Sequence, residues 1–289
     1  MSSWKIGIVG GSGLYALDAL QNAAWVHVDT PWGPPSDALL TGSIGGVECV
    51  FLPRHGRGHR IGPSQLNYRA NIDALKRLGV TDLLSVSAVG SLREDLAPGD
   101  FVVADQFIDR TFARAKSFFG EGLVAHVSLA DPVCPRLSDF AAHAAGAAGA
   151  RVHRGGIYLA MEGPQFSTRA ESRLYRTWGA DIIGMTAMPE AKLAREAELP
   201  YALIGMVTDY DCWREHEAPV EVEAVIAQLG ANAVKARAAI EHLVTSLPNA
   251  RAASPIDTVL DFALITDPAH RDPALVARLD AVAGRVLKG

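Results

Sequence analysis

The chain has 289 residues, of which 49% are apolar and 20% charged, with a net charge of −5 and only three cysteines. That balance excludes a disordered or collagen-like chain, and the distant Cys49, Cys134 and Cys212 exclude both a disulfide scaffold and a C-x-x-C zinc site. The mild acidic surplus argues against nucleic acid as a partner. No apolar run of about 18 residues and no basic-then-apolar leader is present, so no membrane association is expected and the cytoplasm is the expected compartment.

In chain order, Ile6–Val9 reads as a strand running into the glycine turn Gly10-Gly-Ser-Gly13, and Trp25–Val28 as a second strand. Val47–Leu52 is a third, ending at Pro53-Arg54-His55-Gly56. Pro63 opens a helix whose apolar face holds Tyr68, Ile72 and Leu75 and which Gly79 stops. Strands follow at Leu83–Ala88 and Phe101–Phe107, then an Ala-rich helix over 139–149 and a strand at Ile157–Met161. A helix over 169–178 leads to a strand at Asp181–Met185, and Pro189 opens another helix. Tyr201–Val207 is a strand ending in Thr208-Asp209, and a long helix spans Pro219–Leu247 with apolar positions at helical spacing. This alternation predicts a single α/β domain over 1–247, with a central mixed or parallel sheet flanked by helices. Residues 248–289 read as a helical C-terminal extension. In such sheets ligands gather beyond the carboxyl ends of strands, so the residues there are the candidate site.

Gly11-x-Gly13-x-x-Ala16 after a strand, with Asp29 downstream, matches a dinucleotide fingerprint; a plain turn and a phosphate cradle are equally open at this point. Either ligand would use the same physics, since glycines let backbone N–H groups approach an anion and Ser12 adds a hydroxyl. Arg54 and His55 offer further donors, against the alternative of a solvated basic loop. Ser87-Ala88 and Thr186 place hydroxyls at two more strand ends. Together these ends suit inorganic phosphate held by many donors.

Asp209 and Asp211 stand at i and i+2 at another strand end. Enclosed away from water, Asp209 would hold a proton near neutral pH and deliver it; the alternative is a helix cap or turn. Glu162-Gly-Pro-Gln-Phe-Ser167 supplies Phe166 as a platform for a flat ring, and Glu162 or Met185 as a neighbour for a sugar.

From about residue 4 to 246 these segments resemble the trimeric purine nucleoside phosphorylase family, and within it the 5′-methylthioadenosine phosphorylases. The matching segments include Gly10-Gly-Ser-Gly-Leu14, Arg54-His-Gly56, Asn67-Tyr-Arg-Ala-Asn71, Gly90-Ser-Leu-Arg-Glu94, Asp105–Thr111, Glu162–Ser167, Arg169-Ala-Glu-Ser172, Met185–Glu190 and Thr208–Trp213. The resemblance implies a phosphate site at Ser12, Arg54, His55, Ser87, Ala88 and Thr186. It implies a base and ribose site at Phe166, Ser167, Met185, Thr208, Asp209 and Asp211; since a purine leaves poorly as an anion, Asp209 is the expected catalytic acid, donating to N7. It also implies a methylthio pocket at Val222, Val225 and Ile226, completed by His126 from a neighbouring subunit of a homotrimer. Neither metal nor cofactor is implied.

Three other readings compete: a dinucleotide-dependent oxidoreductase, a non-catalytic nucleoside-binding protein, and a relative acting on methylthioinosine or purine nucleosides at large. Asp209-Tyr-Asp211 disfavours the last, because 6-oxopurine relatives carry Asn at the position of Asp209. Residues 251–289 depart from the resemblance; Leu260, Phe262 and Leu264 are expected either to cover a neighbour's 5′ pocket or to pack at a subunit interface.

Overall fold

A computed structural model describes residues 3–11, 13–14, 17–214 and 222–288. Ser12, Ala16 and the expected helix start at Pro219 lie outside the described residues, as does the side chain of Val222.

The described strands are β1 (Lys5–Gly10), β2 (Gln21–Val26), β3 (Leu39–Ile44), β4 (Val47–Pro53), β5 (Asp82–Ser91), β6 (Phe101–Ala104), β7 (Gln106–Asp109), β8 (Val152–Arg154), β9 (Ile157–Ala160), β10 (Ile182–Gly184) and β11 (Tyr201–Asp209). The helices are α1 (Tyr68–Arg77), α2 (Pro135–Ala147), α3 (Arg169–Thr177), α4 (Ala187–Glu196), α5 (Val222–Ser246), α6 (Pro273–Arg278) and α7 (Gly284–Leu287). All the strands join one mixed sheet, ordered β2-β3-β4-β1-β5-β10-β9-β7, with β11 also beside β5 and β6 and β8 beyond it.

The central strands β4, β1, β5 and β11 are parallel to their neighbours in that group and buried on both faces. This explains their near-continuous apolar sequences. Their side chains still alternate. Leu83, Tyr201 and Leu203 enter a core shared with α1 and α4, whereas Leu84, Ala202 and Ile204 enter the core shared with α2 and α5. Parallel strands end together, so Gly10, Pro53, Ser91 and Asp209 come to one edge of the sheet.

The structure differs from the sequence reading at several strands. Phe101–Phe107 is two strands: β6 pairs with β11 and β7 with β9, the switch occurring where the N–H groups of Asp105 and Gln106 both donate to Gly156 O. β3 and β8 have no clean apolar pattern and went unread. The helix α4 begins two residues before Pro189, yet Met188 itself is non-helical (φ −119°, ψ 132°), as the ring of a following proline favours, so the regular helix does open at Pro189 as expected. Finally, β2 is an edge strand antiparallel to β3, with β3 and β4 between it and β1. A dinucleotide fold needs that second strand parallel and next to the first, so Asp29 is not placed for a ribose and the dinucleotide reading falls.

The tail is not detached from the domain. Trp4 Nε1 donates to Pro248 O (2.8 Å), and Arg251 reaches Asp82 at the start of β5 (2.5 Å). Leu260, Ala263, Leu275, Leu279 and Val282 are buried in the same core as α1 and α4.

Candidate active site

Two of the expected phosphate donors meet. Ser87 near the end of β5 and Thr186 just after β10 are both buried, and their hydroxyl oxygens stand 3.4 Å apart. Tyr158 OH lies 3.4 Å from Ser87 Oγ and accepts from the Thr186 N–H at 3.4 Å, so it stands behind both. Such close approach requires glycine at 184: a Cβ there would fall 2.0 Å from Tyr158 OH. The adjoining glycine turn is held from outside, because Arg237 Nη1 on α5 donates to Gly13 O (2.8 Å).

Arg54 is not the open fork that the sequence led us to expect. Its side chain is 2% exposed, and Nε and Nη2 both pair with Glu190, at 2.8 and 3.1 Å. Further donations go to Val86 O (3.2 Å), Ser85 Oγ (2.6 Å) and Val9 O (3.3 Å). Burial works against its charge, but Glu190 outweighs it and holds the proton more firmly. The guanidinium therefore ties β1, β4, β5 and α4 together, and the fork that would grip phosphate is spent on a carboxylate.

His55 is only partly buried, stacked on His59 with ring centroids 4.2 Å apart, and its Nδ1 lies 2.9 Å from Ile61 O. A carbonyl only accepts, so Nδ1 carries the hydrogen. Burial lowers the pKa to about 4, which makes the ring neutral at pH 7 and leaves Nε2 as an acceptor. The sequence reading had His55 as a donor.

At the end of β11, Asp209 Oδ1 accepts from the Asp211 N–H (2.8 Å), and Oδ2 lies 2.6 Å from Thr208 Oγ1. That hydroxyl also lies 3.2 Å from Val89 O. It has one hydrogen for two acceptors, so when it serves Val89 a proton on Asp209 completes the chain. Burial raises the proton affinity of both Asp209 and Asp211, and the Asp209 charge adds to it at Asp211. Asp211 adopts φ 52° and its buried Oδ2 has no hydrogen-bond partner. The expectation that enclosure would keep Asp209 protonated toward neutral pH thus has its cause in desolvation.

Beside these carboxyls, the Ser167 carbonyl accepts from Cys212 Sγ (3.2 Å) and its hydroxyl lies 3.6 Å from Met161 Sδ. Phe166 is 47% exposed, so core packing does not account for it. Met185 packs over Gly163, where φ is 68° and a Cβ would fall 2.5 Å from the Met185 sulfur. On α5, Ile226 is 61% exposed at the amino end, while Ala236, Ile240 and Leu243 further along are buried. His126 is exposed and stands with the tail: its N–H donates to Ala263 O (2.9 Å), and Ala125 bridges Leu264. Of the three expected lid residues, Leu260 is fully buried, Leu264 is partly buried, and Phe262 is 98% exposed. Glu190, Tyr158 and Arg114 were not singled out from sequence. Each is a buried polar group whose role depends on partners far away in the chain.

A family model for the phosphorylase superfamily matches residues 5–245. The chain belongs to the phosphorylase superfamily. Among superfamily members, it is 63% identical over 286 residues to an S-methyl-5′-thioadenosine phosphorylase of Cereibacter sphaeroides, covering 98% of this chain and 99% of that one. It is 57% identical to the protein of the same name from Rhodospirillum rubrum, covering 98% and 97%. These matches extend through the tail, so residues 251–289 do not depart from the relatives as first expected. A solved methylthioadenosine phosphorylase from an antarctic soil metagenomic library superposes with a TM-score of 0.92 at 48% identity, covering 98% and 99%. The methylthioadenosine phosphorylase of Schistosoma mansoni in complex with adenine gives 0.80 at 42% identity, covering 84% and 91%.

Proposed function

We propose that this superfamily member catalyses reversible phosphorolysis of 5′-methylthioadenosine to adenine and 5-methylthioribose 1-phosphate, a pentosyl transfer in purine and methionine salvage. The observation that carries the reading is the pair of half-buried carboxyls, Asp209 and Asp211, both with raised proton affinity, at the strand edge shared with the buried Ser87 and Thr186 hydroxyls. The names of the relatives support it.

In this reading phosphate lies against Ser87, Ala88, Thr186, His55 and the glycine turn with Ser12. Arg54 acts at one remove, by holding the strand ends. Neutral His55 accepts a hydrogen bond from a protonated phosphate oxygen. The purine stacks near Phe166 and Ser167, and the ribose rests on Met185. A phosphate oxygen attacks C1′ as the C1′–N9 bond breaks, and the bonding pair leaves with the purine. Asp209 delivers its proton to N7, which neutralises the leaving base; general acid catalysis of this kind contributes about 10²–10⁴-fold. The unpartnered Oδ2 of Asp211 takes a hydrogen bond from the adenine amino group. Thr208 relays or orients the Asp209 proton.

The methylthio group lies against Val222, Val225 and Ile226, with His126 supplied by a neighbouring subunit. This calls for a homotrimer, working in the cytoplasm. Exposed Phe262 beside the His126 segment is the tail residue suited to reach a neighbour's pocket. Among the described residues no helix is long and apolar enough to cross a membrane.

The test is phosphate-dependent release of free base from methylthioadenosine, methylthioinosine, adenosine and inosine. Methylthioadenosine should be preferred, with adenosine second. Preference for methylthioinosine would reverse the assignment of Asp209, and binding without base release would leave a nucleoside-binding protein.

A further inference from the structure

One buried arginine lies beneath the ribose and phosphate walls without belonging to either. Arg114 follows β7, and its side chain is 1% exposed. Its Nη1 donates to Met185 O (2.5 Å) and Met188 O (2.7 Å) and lies 3.1 Å from Tyr68 OH. Its Nη2 donates to Glu162 O (2.6 Å) and reaches Met161 O (3.4 Å), while Nε donates to the Glu162 carboxylate (3.3 Å). That carboxylate also accepts from the N–H groups of Phe112 (2.6 Å) and Ala113 (3.3 Å) and from Ser64 Oγ. One guanidinium thus joins the ends of β9 and β10, the start of α4, and α1.

We infer that Arg114 is a positioning residue for phosphorolysis, fixing Met185 and Thr186 by pinning the backbone on both sides of Thr186 at the carbonyls of Met185 and Met188. The inference rests on the reading of Met185 and Thr186 as ribose and phosphate contacts. Thr186 receives no side-chain cap bond, and its backbone (φ −124°, ψ −15°) is not helical. Its local sequence therefore does not hold the hydroxyl 3.4 Å from Ser87; the Tyr158 hydroxyl, which accepts from the Thr186 N–H, and the two flanking carbonyls held by Arg114 do. Glu162 serves the clamp from the other side. Burial works against its charge, but the Ser64 hydroxyl and the Phe112 and Ala113 N–H groups outweigh it and keep the carboxylate ionised. A lysine has a point charge and no fork, so it can reach only part of this set of acceptors. A misplacement of about 1 Å at a reacting group costs on the order of 10²-fold.

The experiment compares Arg114→Lys, Thr186→Val and Arg251→Lys in the full-length protein, reading kcat, KM for phosphate, KM for methylthioadenosine and the thermal midpoint. Arg251 anchors the opposite end of the sheet and serves as the control for loss of a buried arginine. Arg114→Lys should raise the phosphate KM and lower kcat, with kcat/KM for phosphate falling on the order of 10²-fold. Arg251→Lys should shift the midpoint and leave both constants near wild type. If Thr186→Val leaves the phosphate KM unchanged, the site reading fails. If Thr186→Val raises it while Arg114→Lys does not, the site reading stands and Arg114 is only a structural residue. Should Arg114→Lys not fold, Tyr68→Phe removes one contact of the clamp, together with the Tyr68 OH donation to Pro63 O (3.0 Å), and should give a smaller rise in phosphate KM; unchanged kinetics there would overturn the inference.

Discussion

At the amino ends of the parallel strands, Asp82 is fully buried and faces two guanidiniums, those of Arg251 (2.5 Å) and Arg136. At the carboxyl ends, Asp209 and Asp211 are held by a threonine hydroxyl, backbone N–H groups and each other, with no cation paired to them among the described residues. Burial raises the proton affinity of Asp82 too, but there Arg251 and Arg136 oppose it, and the carboxylate ties the tail to the sheet. The second pair has only neutral donors, so desolvation raises its affinity for protons. In the proposed reading, the same residue type does structural work where arginine is close and acid–base work where arginine is kept away. Arg54, the cation of the candidate site, is kept away by its own buried partner Glu190.

The most severe way to sharpen this contrast is Asp209→Asn. It should lower kcat for methylthioadenosine by about 10²–10⁴-fold with little change in thermal midpoint, and some 6-oxopurine turnover should appear. In the wild type, Asp209 must be protonated to act. Its raised pKa therefore keeps the acid form to higher pH than an ordinary aspartate, and kcat should fall as pH rises through that value. A flat kcat profile from acid to alkaline pH would break the assignment.

At the other end, Arg251→Met leaves Asp82 and Asp257 short of a partner and should cost about 3–5 kcal/mol in denaturant unfolding. Turnover by the folded fraction should stay near wild type. A large loss of kcat at unchanged stability would show that the two ends are coupled.

Glu196 tests whether desolvation alone makes an acid–base site. It lies beside a cavity of about 220 Å³ lined also by Lys116, His126 and Lys192, and it accepts from Ser117 Oγ (2.7 Å) and the Phe118 N–H (2.7 Å). Burial raises its pKa from 4.5 to about 7. The folded chain then keeps a proton that the unfolded chain releases between those values. Stability from this group is full below pH 4.5 and declines as pH rises to about 7, by on the order of 3 kcal/mol. Glu196→Gln should flatten that stretch of the stability profile and spare kcat near neutral pH. If kcat collapses, proton chemistry is not confined to the strand edge.

The smallest effect concerns the 5′ end. Methylthioadenosine should exceed adenosine in kcat/KM by the equivalent of about 1–3 kcal/mol, and Ile226→Ser should narrow that margin. An unchanged ratio in the variant would remove α5 from the pocket.

Much of the fold was legible because buried parallel strands need apolar runs and end in turns rich in glycine and polar residues. β1, β4, β5 and β11 all show that pattern. β3 was missed because Leu-Leu-Thr-Gly-Ser-Ile is half-buried beside an exposed edge strand, and β8 because three residues carry too little pattern. The strand-end residues Ser87, Thr186, Asp209 and Asp211 were legible for the same reason as the strands themselves. Arg54 reads from sequence as an open fork and is instead buried against Glu190, a partner 136 residues away that no local pattern reveals. The tail was the least legible part, because short helices such as α6 and α7 take their stability from the core they cover and hardly from their own sequence.

Residue order therefore settled which chemical groups reach the carboxyl edge of the sheet, because a strand's apolar period and its terminating turn are local properties. It could not settle the ionisation of those groups. Whether Asp209 holds a proton, whether Arg54 has a free fork, and which nitrogen of His55 carries the hydrogen depend on burial and on partners brought in from distant segments. Desolvation and hydrogen bonding act through space, and only the packed chain defines them.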